Sequence, residues 1–322
     1  GAESVDSVRG FLQSNVSRFQ ALDLGLMFQW WSLYEPREAL DWLGENDRLY
    51  DVALLQRIAL STWASTDFDA ALHYFDNEML SLEGVDRAVR SIALVQAAYD
   101  SGSPQLMPYL LSLPQGLDRA RLIRGMVRRK LFFEPPEAVL AWADGLSASQ
   151  HPRFKLEANR RIARELGSSD PDLGMRWAAR VYDTDYGNSV LEHLTRAMVV
   201  DGRGPEAMEW LRGLPPGEPV DRAVAETYRY WMKRDRGAAK DWIEGVPVES
   251  WLEPAFAKYV VGVSRAEERD RGIALAEKIQ DENLRTDALT RIARAWFVEE
   301  PEAARVWVEG QNFDPDQLKL IF

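Results

Sequence analysis

The sequence predicts an all-α fold, an α-solenoid built as a right-handed superhelix of about nine helical hairpins. A pattern first seen as EPREALDWL, at residues 35–43, returns along the chain with a period of 32–35 residues. Between its copies, apolar residues follow the 3.6-residue spacing of helices, and no segment sustains the alternation of a strand. A regular period of this length is typical of stacked helical hairpins.

Each copy of the pattern contains a large, usually aromatic anchor, and a second apolar column lies eleven residues before it. The anchors are Trp42, Tyr74, Tyr109, Trp142, Trp177, Trp210, Trp242, Leu275 and Trp307. The second column is Trp31, Trp63, Ala98, Leu131, Leu166, Val199, Trp231, Ser264 and Trp296. Because a residue present in every unit serves a need of every unit, we interpret both columns as packing positions.

The anchor is predicted to lie on a short helix. Its first turn carries proline, whose missing N–H is tolerated there, at Pro36, Pro136, Pro171 and Pro301. A small residue such as Ala39, three positions before the anchor, lets a neighbouring backbone approach. Glycine or proline shortly after the anchor ends the helix.

The other helix of each unit is predicted to be longer. In residues 51–63 the apolar positions 54, 55, 58, 59 and 63 follow the helical period, and residues 286–297 repeat the arrangement. A single hairpin cannot bury its own apolar face, so neighbouring hairpins are expected to stack.

We interpret residues 1–322 as one solenoid domain. Residues 1–18 are predicted to form an N-terminal capping helix, 19–310 the hairpins, and 311–322 a truncated C-terminal cap. The eighth unit is irregular, and its charged segment 265–271 is predicted to be a solvated loop, with a bend or groove opening as the alternative. Because the chain begins with glycine rather than methionine, we expect a processed or truncated chain, from which any signal peptide or lipid anchor would already be missing.

The spacing of acidic, small and aromatic residues resembles that of the tetratricopeptide and Sel1-like superfamily of helical repeats. It is seen in Glu35–Ala39–Trp42, Asp67–Ala71–Tyr74, Asp235–Ala239–Trp242 and Glu300–Ala304–Trp307. The likeness extends from about residue 20 to 310. The paired glycines of Sel1-like units are missing, and the helix stops soon after the anchor, so the resemblance is to a divergent member. It implies a protein-binding scaffold and carries over no site residues.

The composition of the chain restricts the classes of binding partner and the cellular locations that we expect. A net charge of −12 disfavours uniform binding to nucleic acid or anionic lipid, and no apolar run is long enough for a transmembrane helix. Arginine outnumbers lysine by 32 to 7, as in many bacterial proteins. The lack of cysteine favours a periplasmic, secreted or envelope-associated location, while a cytoplasmic one stays open.

Against this acidic background, two successive long helices are basic. The candidate partner-binding residues on them are Arg121, Arg124, Arg128, Arg129, Arg160, Arg161 and Arg164. The spacing of the first three places them on one helical face, which predicts a surface for an acidic protein or peptide. A solvated or internally paired face is the alternative. Trp30 and Trp251, which lie outside both columns, are further candidates for exposed contacts.

Arginine also recurs on the long helices, at positions 57, 90, 124, 161, 196 and 291. One interpretation is a ladder of ion pairs with acidic residues of the adjacent short helix. The other is a row of guanidinium groups that binds a carboxylate-rich partner.

Catalytic patterns are missing from the sequence. The three histidines, at 73, 151 and 193, have no metal-ligand spacing, and no phosphate-binding or nucleophile motif occurs. We therefore predict a non-catalytic protein- or peptide-binding scaffold without a cofactor. The alternatives are an all-helical enzyme and a polysaccharide- or peptidoglycan-binding solenoid, each with a site assembled across repeats. Oligomeric state and partner identity stay open.

Overall fold

A computed structural model describes residues 7, 9–11, 14, 20–46, 51–79, 84–146, 151–264, 268–311 and 313–322. Within these residues the secondary structure is helical, without a strand. Longer and shorter helices alternate as nine pairs in the described part of the chain. The all-α class is therefore confirmed.

The longer helices are α1 (Ala21–Tyr34), α3 (Val52–Thr66), α5 (Gly84–Asp100), α7 (Leu117–Phe133), α9 (Pro152–Ser169), α11 (Gly187–Val200), α13 (Glu218–Arg234), α15 (Glu253–Val263) and α17 (Glu282–Glu299). The shorter ones are α2 (Pro36–Glu45), α4 (Phe68–Asn77), α6 (Leu106–Ser112), α8 (Pro136–Gly145), α10 (Pro171–Val181), α12 (Gly204–Arg212), α14 (Arg236–Gly245), α16 (Arg269–Ala276) and α18 (Pro301–Glu309). A final helix, α19 (Pro315–Ile321), follows, and a 3-10 turn (Ser250–Leu252) precedes α15.

The chain divides into two compact units, residues 1–158 and 159–322, with the boundary inside α9. In the first unit α1, α3, α5 and α7 pack in succession, and α2, α4 and α6 each pack against the long helices before and after them. In the second unit α11, α13, α15 and α17 form a similar row, with short helices α12, α14, α16 and α18 packed against it. Each hairpin thus buries its apolar face against its neighbours in sequence.

The two predicted columns meet inside the hairpins. The ring centroids of Trp31 and Trp42 are 6.0 Å apart, and those of Trp231 and Trp242 are 5.6 Å apart. Among the ten column tryptophans, three are at most 5 % exposed and the other seven are half-buried. Their interpretation as packing positions is confirmed.

The predicted helix signals act at the expected places. The four prolines named above are the first residues of α2, α8, α10 and α18. The short helices end within one or two residues of a glycine in α2, α8, α12, α14 and α18.

Parts of both predicted end caps lie in the described residues. Of the predicted N-terminal cap, residues 7, 9–11 and 14 are helical, and the rest lies outside the described residues. Arg9 forms an ion pair of 2.8 Å with Glu38 of α2. At the other end, Ile321 of α19 is buried against Ala293 and Val308.

The part of the charged segment of the eighth unit that the structure describes is helical from Arg269 onward, where a solvated loop was predicted. Residues 265–267 lie outside the described part, but Arg269 begins α16 and is only 7 % exposed. Its guanidinium lies 4.6 Å from the centre of the Trp296 ring and 2.7 Å from a carboxylate oxygen of Glu299. The side chain is buried because α17 and the corner after it supply both an aromatic face and carboxylates.

Candidate functional site

A groove in the first unit brings together side chains of α3, α5 and α7. Its larger cavity, about 530 Å³, lies between α5 and α7, and a second of about 410 Å³ lies between α3 and α5. The two cavities share Val89, Ile92, Gln96 and Arg129 as lining, so they form one continuous depression. We call it the unit-1 groove.

Four of the predicted partner-binding residues line this groove. They are Arg121, Arg124, Arg128 and Arg129 of α7. Arg57 of α3, which was predicted as a recurring arginine but not as a site residue, lines the second cavity. Five guanidinium groups therefore face one depression in a chain whose net charge is −12.

Two of these guanidinium groups are held by carboxylates of the same unit. Arg121 lies 3.2 Å from Asp118, one helical turn away. Arg129 donates two hydrogen bonds to Asp100, one of them 2.7 Å long, and this bonding raises the pKa of Arg129. Both arginines are therefore fixed as walls of the groove, and part of their charge is neutralised.

Arg57 and Arg124 differ from that pair. Across the described residues, no carboxylate lies within ion-pair distance of either guanidinium. Arg57 is exposed and Arg124 is half-buried. These two groups are the ones whose hydrogen-bonding capacity is open to a ligand.

The floor and one end of the groove are apolar. Helix α5 presents Val89 and Ile92, and Gly125 of α7 packs closely enough that a Cβ there would lie 3.6 Å from Ile92. At the end of α7, Phe132 and Phe133 are 81 % and 59 % exposed, and their rings meet edge to face. Exposed large apolar side chains at the end of such a groove mark a contact surface.

The remaining basic residues of α7 have a structural role. Arg119 is 8 % exposed and donates a 3.0 Å hydrogen bond to Glu157. Lys130 is also 8 % exposed, lies 2.8 Å from Glu134 and packs over the Trp142 ring; burial lowers the pKa of its ammonium group. The basic run of α7 is thus divided between a packing face and the groove.

The basic candidates of α9 belong to the second unit and are described separately. Arg160 donates a 3.1 Å hydrogen bond to Ser189 of α11, Arg161 is half-buried and Arg164 is exposed. Burial, assisted by the charges of nearby arginines, lowers the pKa of His193 to about 4. This imidazole is therefore neutral at physiological pH.

The two isolated tryptophans are half-buried rather than fully exposed. Trp30 packs on the core of α1 and contacts the Tyr34 ring at 5.2 Å. Trp251 donates a 3.1 Å hydrogen bond to Glu249, and Arg212 lies over its ring. Each keeps part of one face accessible, and neither lines the unit-1 groove.

The recurring arginines do not form one ladder with the short helices. Arg90 is 5 % exposed and donates to Gln56 of the preceding long helix. Arg196 pairs with Glu192 and Glu226, and Arg291 with Asp287, all on long helices. The predicted pairing with short helices is therefore wrong for these three residues.

Sequence reasoning missed Arg57, the α5 floor and the two phenylalanines as parts of one site. A signal for the phenylalanines exists, because Leu131, Phe132 and Phe133 are consecutive. Three successive residues of a helix point in directions about 100° apart, so they cannot all face the core. The assignment of Leu131 to the packing column leaves both rings free to face outward.

No described group of three histidine or acidic side chains is arranged to hold a metal ion. None of the described helices combines the length and apolar composition needed to cross a membrane. Comparison with protein-family models, curated proteins and solved structures finds no match for the chain.

Proposed function

We propose that this protein is a non-catalytic scaffold that binds an acidic protein or peptide partner through the unit-1 groove. The observation that carries the proposal is the pair of uncompensated guanidinium groups, Arg57 and Arg124, on either side of an apolar floor. Guanidinium groups bind carboxylates through paired, charge-assisted hydrogen bonds. The exposed Phe132–Phe133 pair adds apolar contact area.

The geometry favours a binding surface over the two alternatives. The carboxylates beside the groove, Asp100 and Asp118, are bonded to Arg129 and Arg121, so they do not form an acid–base pair. The tryptophans that could stack on a sugar serve as packing columns. We further propose that the hairpins are divergent tetratricopeptide-like repeats that follow a right-handed superhelix within each unit, in a protein of the bacterial envelope.

The test is affinity capture from host extract with two matched variants. The groove variant carries Arg124→Glu and Arg128→Glu. The control carries Arg176→Glu and Arg294→Glu, which make the same charge change at exposed positions of the second unit. We expect a saturable protein partner that the wild type and the control retain and the groove variant loses. Circular dichroism verifies that all three are equally helical.

A partner retained equally by both variants would remove the groove from the proposal. If purified wild type captures no protein but binds soluble peptidoglycan fragments in calorimetry, the scaffold function itself is wrong.

A further inference from the structure

The distance across the unit-1 groove restricts what can reach both of its open guanidinium groups. Arg57 and Arg124 lie on α3 and α7, and α5 lies between these two helices. The axes of packed helices are about 8–10 Å apart, so the axes of α3 and α7 are at most about 16–20 Å apart. An extended chain rises about 3.3 Å per residue, and five or six residues therefore cross this distance.

Between the two charges the floor of the groove, formed by α5, is apolar, and the Asp100–Arg129 pair at its side is already bonded internally. Val89 is 40 % exposed there, and Ile92 lies beside it. The amide of Gln96, also on this wall, can donate to and accept from a peptide backbone. Arg121 and Arg129, already bonded to carboxylates, border the path as walls.

This distribution of charged and apolar residues favours a peptide ligand over a polyanion. Single-stranded nucleic acid or polyphosphate would place a charge every few ångströms, including over the apolar floor, and the net charge of −12 would repel it. A peptide can instead place carboxylates at its ends and apolar side chains between them.

We infer that the unit-1 groove binds an extended peptide segment with two acidic residues about five residues apart and apolar residues between them. One carboxylate pairs with Arg57 and the other with Arg124. The apolar side chains contact Val89 and Ile92, and an aromatic residue near the second carboxylate packs on Phe132. The inference rests on the proposed scaffold function and specifies its ligand class.

The probe is a capped, fluorescein-labelled peptide of alanine and serine with two glutamates about five residues apart and leucine and phenylalanine between them. Its control has the same composition but adjacent glutamates. A third peptide carries lysine in place of both glutamates. Fluorescence anisotropy with the full chain measures the affinities, up to a peptide concentration of about 1 mM.

The spaced-glutamate peptide is expected to bind about tenfold more tightly than its rearranged control, since only the former reaches both guanidinium groups. The variant with Arg57→Glu and Arg124→Glu should lose about tenfold in affinity for it and gain affinity for the lysine peptide. The Arg176→Glu and Arg294→Glu control should bind like wild type. Circular dichroism again verifies folding.

Equal binding of the two glutamate peptides, or unchanged binding by the variant with Arg57→Glu and Arg124→Glu, would overturn the inference. A single-stranded oligonucleotide that competes better than the peptide would overturn it as well. If a protein partner is captured through the groove but no spaced-glutamate peptide binds, the ligand class is wrong and the scaffold function stands. If a protein partner is captured equally by the wild type and by the groove variant, the ligand class is wrong and the groove is removed from the scaffold proposal.

Discussion

At the corner between the two helices of a hairpin, aspartate and glutamate act differently. Asp67, Asp170 and Asp235 each accept a 3.0 Å hydrogen bond from the backbone N–H three residues later, so they cap the short helix. Glu35 and Glu300 occupy the same position without capping. Their longer side chains extend instead toward the indole N–H of the tryptophan four residues earlier, at 3.4 and 3.5 Å.

Aspartate and glutamate are equivalent at this position of the repeat pattern, but they act differently in the structure. The sequence places either aspartate or glutamate at this corner. The structure assigns the hydrogen-bonded cap to aspartate, whose carboxylate lies one bond closer to the backbone. At glutamate corners the carboxylate faces the packing column.

The buried His193 makes the free energy of unfolding depend on pH. Burial of its imidazole, assisted by the charges of Arg160 and Arg196, lowers its pKa from 6.5 to about 4. Between these values the unfolded chain binds a proton that the folded chain does not, so the free energy of unfolding falls as pH decreases through the window.

We expect wild type to lose about 1–3 kcal/mol more stability than His193→Gln between pH 7 and 4. Urea unfolding of both proteins across this range isolates the histidine, since the titrating carboxylates are common to both. A stability difference that does not change with pH would contradict the assignment.

At the scale of a helix, the close approach between hairpins depends on particular small residues. Gly204 begins α12, and a Cβ there would lie 2.4 Å from the indole of Trp231 on α13. Gly237 lies in the first turn of α14, where a Cβ would meet nothing nearer than 3.7 Å. The two glycines therefore have different roles despite similar places in the repeat.

We predict that Gly204→Ala lowers the free energy of unfolding by about 1–3 kcal/mol, because the methyl group forces the indole to move. Gly237→Ala should leave it unchanged or raise it by up to about 1 kcal/mol, because alanine favours the helix. Chemical denaturation measures both. Equal effects of the two substitutions would show that the approach of α12 to α13 is not tight.

Helix α16 shows how tertiary contacts replace a failed repeat pattern. Ser264 and Gly272 pack so closely that a Cβ on Gly272 would collide with the serine side chain. The pair of small residues brings α16 against α15 without any aromatic ring. Arg269 then secures the helix to Glu299 and Glu300.

For the whole molecule, the locality of packing has consequences for stability. Within each of the two units, described helices pack against helices near them in sequence, as in repeat proteins. Stability in such chains is a sum over units and their nearest neighbours, so damage stays local.

We predict that Trp177→Ala, which removes a fully buried side chain, costs about 3–5 kcal/mol locally. Hydrogen exchange should accelerate in α10 and α11, whereas amides of α1 to α4 keep their protection. Mass spectrometry of peptide fragments resolves the two regions. Uniform acceleration along the chain would show that the molecule opens as one cooperative body.

The order of the helices and the faces on which their residues lie could be predicted from the sequence, because both arise from local chemistry. In the described part of the chain, the periodic anchors place nine pairs of long and short helices in order, because helix period, proline starts and glycine ends act within a few residues. The spacing of Arg121, Arg124 and Arg128 placed them on one face for the same reason.

Which of the arginines form ion pairs with carboxylates of the same chain depends on the tertiary structure. Arg119 and Arg269 are buried beside carboxylates that lie 38 and 30 residues away. Arg57 and Arg124 face the same groove without such a partner in the described residues. Arginines look alike in the sequence, and their surroundings differ because the neighbouring hairpins supply the carboxylates and the apolar floor.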